Sequence, residues 1–355
     1  MNKELILALI KEYGFTNDDF IEFNPLGNGL IHGTYKLITR RGAFVLQEYN
    51  LSVFPFPDRI STNLSILKDS NWVETLPFLL PLPERTTSGD PIPLIDGKYW
   101  RLFPFVDGKT LEQIQNPQQA RLAARAFGQF TGASIGENLE NFQETIPNFH
   151  RLDLRFQKFE EVLSTSKNLN QEESQIAEFY QGQKPLIYWY LQQIENLPLR
   201  VTHNDTKINN LIFSQNLDQV QALIDLDTVM GGYLMYDFGD LVRTVTCSLP
   251  ETSTSWNGLY FIPELFNELL AGYWDGVKEF STKEESKSLL FGGEVMTLIM
   301  GLRFFTDHLQ GNIYYRVSYL EQNLHRAKNQ MIFLESQQRH REVLLSNWSK
   351  ITGLV

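Results

Sequence analysis

The chain has 355 residues, with 31 lysines and arginines against 42 aspartates and glutamates, a formal charge of −11, and a hydrophobic fraction of 42%. This composition is that of a globular protein, not a disordered, fibrous or membrane-spanning one, and at roughly 150 residues per domain the length corresponds to about two domains or lobes. The acidic balance and the lack of a basic run with interleaved aromatics argue against nucleic acid as the main partner, and a single cysteine, Cys247, rules out an internal disulfide and a C-x-x-C redox or zinc motif.

The first apolar run, Leu5 to Ile10, lies between Lys3-Glu4 and Lys11-Glu12. It is too short to cross a bilayer and no small-residue cleavage site follows, so it reads as an amphipathic helix of a cytoplasmic protein with no membrane partner. From Phe23 to Tyr49 short stretches alternate between turns at Gly27-Asn28-Gly29, Gly33 and Arg41-Gly42, which predicts antiparallel strands, with 34–39 and 43–47 forming a hairpin. A helix is expected around 60–68, then a proline-rich stretch, then a second hairpin whose returning strand is 99–103. Residues 104–109, PFVDGK, read as a linker.

Beyond the linker the texture becomes helical. Leu122, Ala123, Ala126, Phe127 and Phe130 recur at helical spacing, as do Phe156, Phe159 and Leu163; 176–194 and most of 260–345 share the pattern. The exception is 211–227, where two short apolar runs around SQNLDQ predict a small hairpin. The chain therefore divides into a mostly β front lobe, 1–105, and a mostly α remainder, 110–355.

Chemistry concentrates in RVTHNDTKINNLIF, which contains His203, Asp205, Lys207 and, five residues after Asp205, Asn210; the hairpin that follows ends in Ile224-Asp225-Leu226-Asp227. Phosphoryl transfer to a hydroxyl needs a carboxylate at the attacking oxygen, oxygen ligands for Mg²⁺ and a cation near the moving phosphate, and this stretch supplies all of them. The pattern H-x-D-x-x-x-x-N, hairpin, hydrophobic-D resembles the core of the aminoglycoside phosphotransferase-like kinases, relatives of the protein kinases. Within that family the blocks 200–210, 224–240 and 300–315, with 44–50 in support, are most similar to the N-acetylhexosamine 1-kinases. The resemblance runs along nearly the whole chain. It implies an α+β, protein-kinase-like two-lobed fold, ATP and Mg²⁺ as cofactors, and a small sugar acceptor.

By position, the resemblance makes Asp205 the base that accepts the hydroxyl proton and Asn210 and Asp225 the Mg²⁺ ligands, with Lys207 beside the transferred phosphoryl group. His203 is expected to pack the loop through a ring hydrogen bond. A literal Asp237-Phe238-Gly239 is not taken as the metal motif: it lies 32 residues after Asp205, whereas Asp225 lies 20 away at a strand end. Asp237 reads instead as a cap or loop-bracing carboxylate before the next helix, and Asp227 as either a carboxylate behind the metal site or a ligand.

In the front lobe, Gly27-Asn28-Gly29 is a hairpin turn that also suits ATP phosphates. Pro104, Phe105 and Val106 are either the adenine-holding hinge or a plain connector. Gln47 occupies the place of the protein-kinase strand-3 lysine, and the following helix has no matching glutamate, so the usual Lys–Glu pair is not expected. For the acceptor, the resemblance points to Arg303 and Tyr314, with His32 facing them from the front lobe. The alternatives are an Arg303 to Asp307 salt bridge at i,i+4 and a Tyr314 in the core.

Overall fold

The computed structural model describes residues 3–26, 33–51 and 54–354. The front lobe begins with helix α1 (Lys3–Glu12) and continues through strands β1 (Phe20–Pro25), β2 (Gly33–Thr39) and β3 (Gly42–Glu48), helix α2 (Pro57–Asp69), and strands β4 (Leu94–Ile95) and β5 (Lys98–Pro104). The strands form one antiparallel sheet in the order β1-β2-β3-β5-β4. Successive strand side chains alternate in direction, and Leu37, Leu46, Trp100 and Leu102 bury against Ile6, Leu9 and Ile10 of α1. The same alternation turns Gln47 and its register partner Arg101 to the opposite face. Pro104 is the last residue of β5 rather than the first of the linker, because the sheet continues through its pairing with Phe44.

The larger lobe carries α3 (Pro117–Ala133), α4 (Leu152–Thr165), α5 (Gln171–Gln181), α6 (Lys184–Ile194), β6 (Arg200–Thr202), β7 (Leu211–Phe213), β8 (Val220–Leu223), β9 (Met230–Gly232), α7 (Leu234–Val245), α8 (Pro263–Val277), α9 (Lys283–Leu309), α10 (Gln322–Gln338) and α11 (Arg341–Thr352). The stretch 176–194, expected to be continuously helical, is two helices: Gly182 caps α5, and Pro185, which lacks an N–H, opens α6. The spacings at 122–130 and 156–163 each fall within a single helix, α3 and α4, whereas 260–345 divides into α8, α9, α10 and the start of α11.

Two close helix crossings set the lobe. Gly128 in α3 faces α8 so closely that an added Cβ would sit 2.6 Å from the Tyr273 carbonyl oxygen, and one on Gly239 of α7 would sit 2.2 Å from the Gly292 carbonyl of α9. Helix α9 is long and apolar enough to cross a membrane, yet 78% of its apolar window is buried inside the protein, as befits a core helix. It packs on one side with α4 to α6 and α10. A second cluster joins α3, α7 and α8 to Ile60, Leu64 and Leu67 of α2, so the two lobes share hydrophobic packing.

Candidate active site

The loop between β6 and β7 is built almost entirely by buried hydrogen bonds. His203 is fully buried; its Nδ1 accepts from the Asp205 N–H at 3.3 Å and its Nε2 lies 3.0 Å from the Ile224 carbonyl. The ring stands edge-on to Phe127 at 5.3 Å. The expected packing role of His203 is what the geometry displays.

Asp237 lies inside the first turn of α7, not before the helix, because α7 already starts at Leu234. Of the two roles weighed for it, bracing the loop is the one it performs: its carboxylate accepts the His203 N–H at 2.9 Å and the Asn204 N–H at 2.7 Å. Burial pushes this carboxyl up to about 6 against the pull of His203 and the two amides. Asn204 takes a left-handed φ of 62°, and its carbonyl meets His150 Nε2 at 2.9 Å. Burial drives His150 down to about 4. His150 is isolated in the sequence, so no spacing signals that it supports this loop.

With its loop held, Asp205 presents a half-buried carboxylate. Lys207 Nζ lies 2.9 Å from Oδ1, and the Asn210 amide nitrogen donates to Oδ2 at 3.1 Å and to the Asp205 carbonyl at 2.8 Å. Burial raises the Asp205 pKa, but Lys207, His203 and Asn210 outweigh it and hold the carboxyl below its ordinary value. Asp205 in turn raises the Lys207 ammonium. The pair is therefore ionised at neutral pH.

The β7–β8 hairpin brings the second half of the constellation alongside. Leu211 pairs with Leu223, and the next step is the Ile224 N–H donating to the Asn210 carbonyl at 2.9 Å, which sets Asp225 beside Asn210 at the open end of the hairpin. Asp225 is exposed and left-handed, with φ 61°. Asn210, its amide nitrogen spent on Asp205, offers Oδ1, and Asp225 offers a carboxylate. Hard oxygens in this number suit Mg²⁺, which keeps waters and substrate phosphates as its other ligands, so the residues present fit that ion.

Asp227 is buried and paired with Arg101, whose Nη1 donates to Oδ1 at 2.5 Å and Nη2 to Oδ2 at 2.9 Å. The guanidinium thus engages both oxygens of the Asp227 carboxylate. Nη2 of Arg101 also donates to Gln47 Oε1 at 2.5 Å. No Lys–Glu pair is expected at Gln47, and the charge that sits against it is the Arg101 guanidinium, from the neighbouring strand of the sheet. Its only sequence signal is an arginine in the otherwise apolar run Trp100 to Phe103.

Arg303 of α9 and Tyr314, the residues expected to meet the acceptor, touch each other, Nη2 to Oη, at 3.4 Å. The guanidinium carbon lies 5.3 Å from the Phe149 ring, 5.5 Å from Tyr314 and 5.4 Å from Tyr315. Neither alternative for these residues holds. Asp307 is occupied by the Tyr314 and Tyr315 N–H groups, at 2.7 and 3.0 Å, and by Asn323, rather than by Arg303; Tyr314 is 61% exposed rather than in the core. Phe149 lies against His150, ring centroids 4.2 Å apart and tilted by 36°, and His150 holds the Asn204 carbonyl, so two side chains, Phe149 and His150, connect the Arg303–Tyr314 pair to the Asp205 loop.

The linker runs alongside: Phe105 donates its N–H to Ala43, Lys36 sits 3.7 Å over its ring, and Lys109 exchanges backbone bonds with Phe213. Pro104 and Val106 flank Phe105 and are half-buried. Gly27, Asn28, Gly29 and His32 lie outside the described residues.

A family model described as the phosphotransferase enzyme family, APH, matches residues 22–279. The chain belongs to this phosphotransferase family. Solved structures share the protein-kinase-like fold across almost the whole chain. An aminoglycoside phosphotransferase from Alicyclobacillus acidocaldarius has 13% identity and a TM-score of 0.63, covering 98% of this chain and 96% of its own. A choline kinase from Cryptosporidium parvum has 16% identity and a TM-score of 0.62, covering 98% of each chain. A spectinomycin phosphotransferase solved with ADP and spectinomycin has 12% identity and a TM-score of 0.56, also covering 98% of each.

Proposed function

We propose that this phosphotransferase moves the γ-phosphate of ATP to the anomeric hydroxyl of an N-acetylhexosamine, N-acetylglucosamine or N-acetylgalactosamine, in a cytoplasmic setting. The observation that carries the acceptor class is the Arg303–Tyr314 pair bordering the Asp205 loop. An arginine fork and a phenol bond hydroxyls and an amide carbonyl and offer a flat face to a sugar ring. Arg155 lies close behind, its Nη2 donating to the Phe149 carbonyl at 3.0 Å. The carboxylate nearest to the pair in sequence, Asp307, is turned onto backbone amides. A basic surround of this kind suits a neutral acceptor better than choline or an aminoglycoside.

In the reaction the acceptor oxygen attacks the γ-phosphorus, its proton passes to the Asp205 carboxylate, and the bond to the β,γ-bridging oxygen breaks to release ADP. Lys207 orients Asp205 and offsets charge on the transferred group. Mg²⁺, held by Asn210 and Asp225, would supply charge neutralisation at the triphosphate. Gly27 to Gly29 and Gln47 would border the phosphates and 104–106 the adenine, with Val106 the available hinge N–H because that of Phe105 is spent on Ala43. His32 would face the acceptor from the front lobe.

The test is a panel of N-acetylglucosamine, N-acetylgalactosamine, an aminoglycoside, choline and homoserine with Mg²⁺-ATP, read by phosphorus NMR. Phosphate on C1 of a neutral amino sugar, lost in Asp205→Asn, is expected. Turnover confined to the other acceptors would replace the sugar assignment, and equal activity of Asp205→Asn would remove Asp205 as the base.

A further inference from the structure

Arg101 stands in the middle of β5 and is 1% exposed, and Asp227, across the boundary between the lobes, is 3% exposed. The guanidinium spans Asp227 with two bonds and Gln47 with a third, and lies about equally far from the Tyr49 and Phe103 rings, at 5.1 and 5.2 Å. Its Nε is buried with no hydrogen-bond partner among the described residues. Stability alone is a poor reason for such a pair. Desolvating two ions costs as much as their attraction returns, and apolar residues of similar volume serve the fold as well or better.

What the pair does have is position. Asp227 is two residues past Asp225, whose left-handed backbone persists only where its surroundings enforce it. The turn is gripped on its far side by the Thr228 hydroxyl on the His203 carbonyl, 2.7 Å, and by Asn63 of α2 on the Val229 carbonyl, 2.8 Å. Arg101 is the grip from the sheet, at the register position directly opposite Gln47.

Resting on the kinase reading above, we propose that Arg101 is a positioning residue for the nucleotide-bound metal: through Asp227 it fixes the turn that aims Asp225, and so ties the front-lobe sheet to the metal site where the strand-3 position holds an uncharged Gln47. The link is the two-pronged Arg101–Asp227 contact. A lysine at 101 keeps the charge but cannot span both carboxylate oxygens.

The test titrates ADP into the full chain, by calorimetry, with Mg²⁺ or with EDTA. The wild type is expected to bind ADP more tightly with Mg²⁺. In Arg101→Lys that gain should shrink about tenfold, the scale of losing a residue that orients a metal ligand, while affinity in EDTA stays the same. The double substitution Arg101→Met with Asp227→Leu removes both charges together, so it should keep the melting temperature near that of the wild type and still lose the gain. A folded double variant with the wild-type Mg²⁺ gain overturns the inference alone. A wild type that binds no ADP under either condition overturns the kinase reading and the inference with it.

Discussion

At the scale of single residues the site is a set of opposed charges in which burial and pairing pull in different directions. Asp205 is held low because Lys207, with its other partners, outweighs its burial. Removing that cation in Lys207→Ala should raise the Asp205 pKa, so the acid limb of the kcat/KM profile should move to higher pH, beyond any fall in kcat; an unmoved limb would show that Lys207 does not set the charge on Asp205. Asp205→Asn should cost on the order of 10² to 10⁴ in kcat, as loss of a general base does, with the KM for ATP unchanged. Arg303→Ala should raise the acceptor KM at least about tenfold, as losing a charged hydrogen-bond donor does, again without moving the KM for ATP.

His150 gives a second titration, this time in stability. Its folded pKa of about 4 lies below the ordinary 6.5, so its contribution is complete above pH 6.5 and is lost as the pH falls through 4. The shift corresponds to about 3 kcal/mol. Asp237 runs the other way: raised from 3.8 to about 6, it favours the fold below its unfolded pKa and loses that advantage as the pH rises through 6. The two partly cancel in the wild type. Urea unfolding of His150→Gln beside the wild type isolates the first: between pH 7 and 4.5 the variant should lose less stability than the wild type, and parallel losses would contradict the assignment.

At the scale of elements, helix packing depends on backbones that touch. Gly128→Ala gains up to about 1 kcal/mol in helix propensity, yet its Cβ would lie 2.6 Å from a backbone oxygen of α8 that has no rotamer to change. Overpacking of this kind costs about 1–3 kcal/mol, so a lower urea midpoint is expected, and an unchanged or higher one would mean that α3 and α8 can separate freely. The same logic separates what a helix pattern encodes from what it omits. The spacing of Phe156, Phe159 and Leu163 suffices to announce α4, but nothing periodic marks the break at Gly182, where one glycine and the following Pro185 divide an otherwise continuous apolar pattern.

At the scale of the whole molecule the lobes are not independent. They share a hydrophobic cluster, the Arg101–Asp227 pair, and Asn63, whose side chain donates to Gln143 and Val229 and accepts from Gln143, at 2.8, 2.8 and 2.9 Å. Unfolding followed by far-ultraviolet circular dichroism and by tryptophan fluorescence should therefore coincide, since Trp100 lies in the front lobe and Trp189, Trp274 and Trp348 in the other. Two separated transitions would show that these links are too weak to couple the lobes.

The amino-acid sequence by itself determined the order of most elements and the grouping of Asp205, Lys207, Asn210 and Asp225. Each depends on near neighbours in the chain: apolar period, turn residues, and a loop and hairpin short enough that spacing dictates proximity. Only the tertiary structure decided that Arg101 faces Gln47 and Asp227, that His150 and Asp237 hold the loop around Asp205, and that Asp307 bonds amides instead of Arg303. Most of these contacts join residues tens of positions apart, where which side chain a buried charge meets is set by sheet register and helix packing, and no local pattern records it.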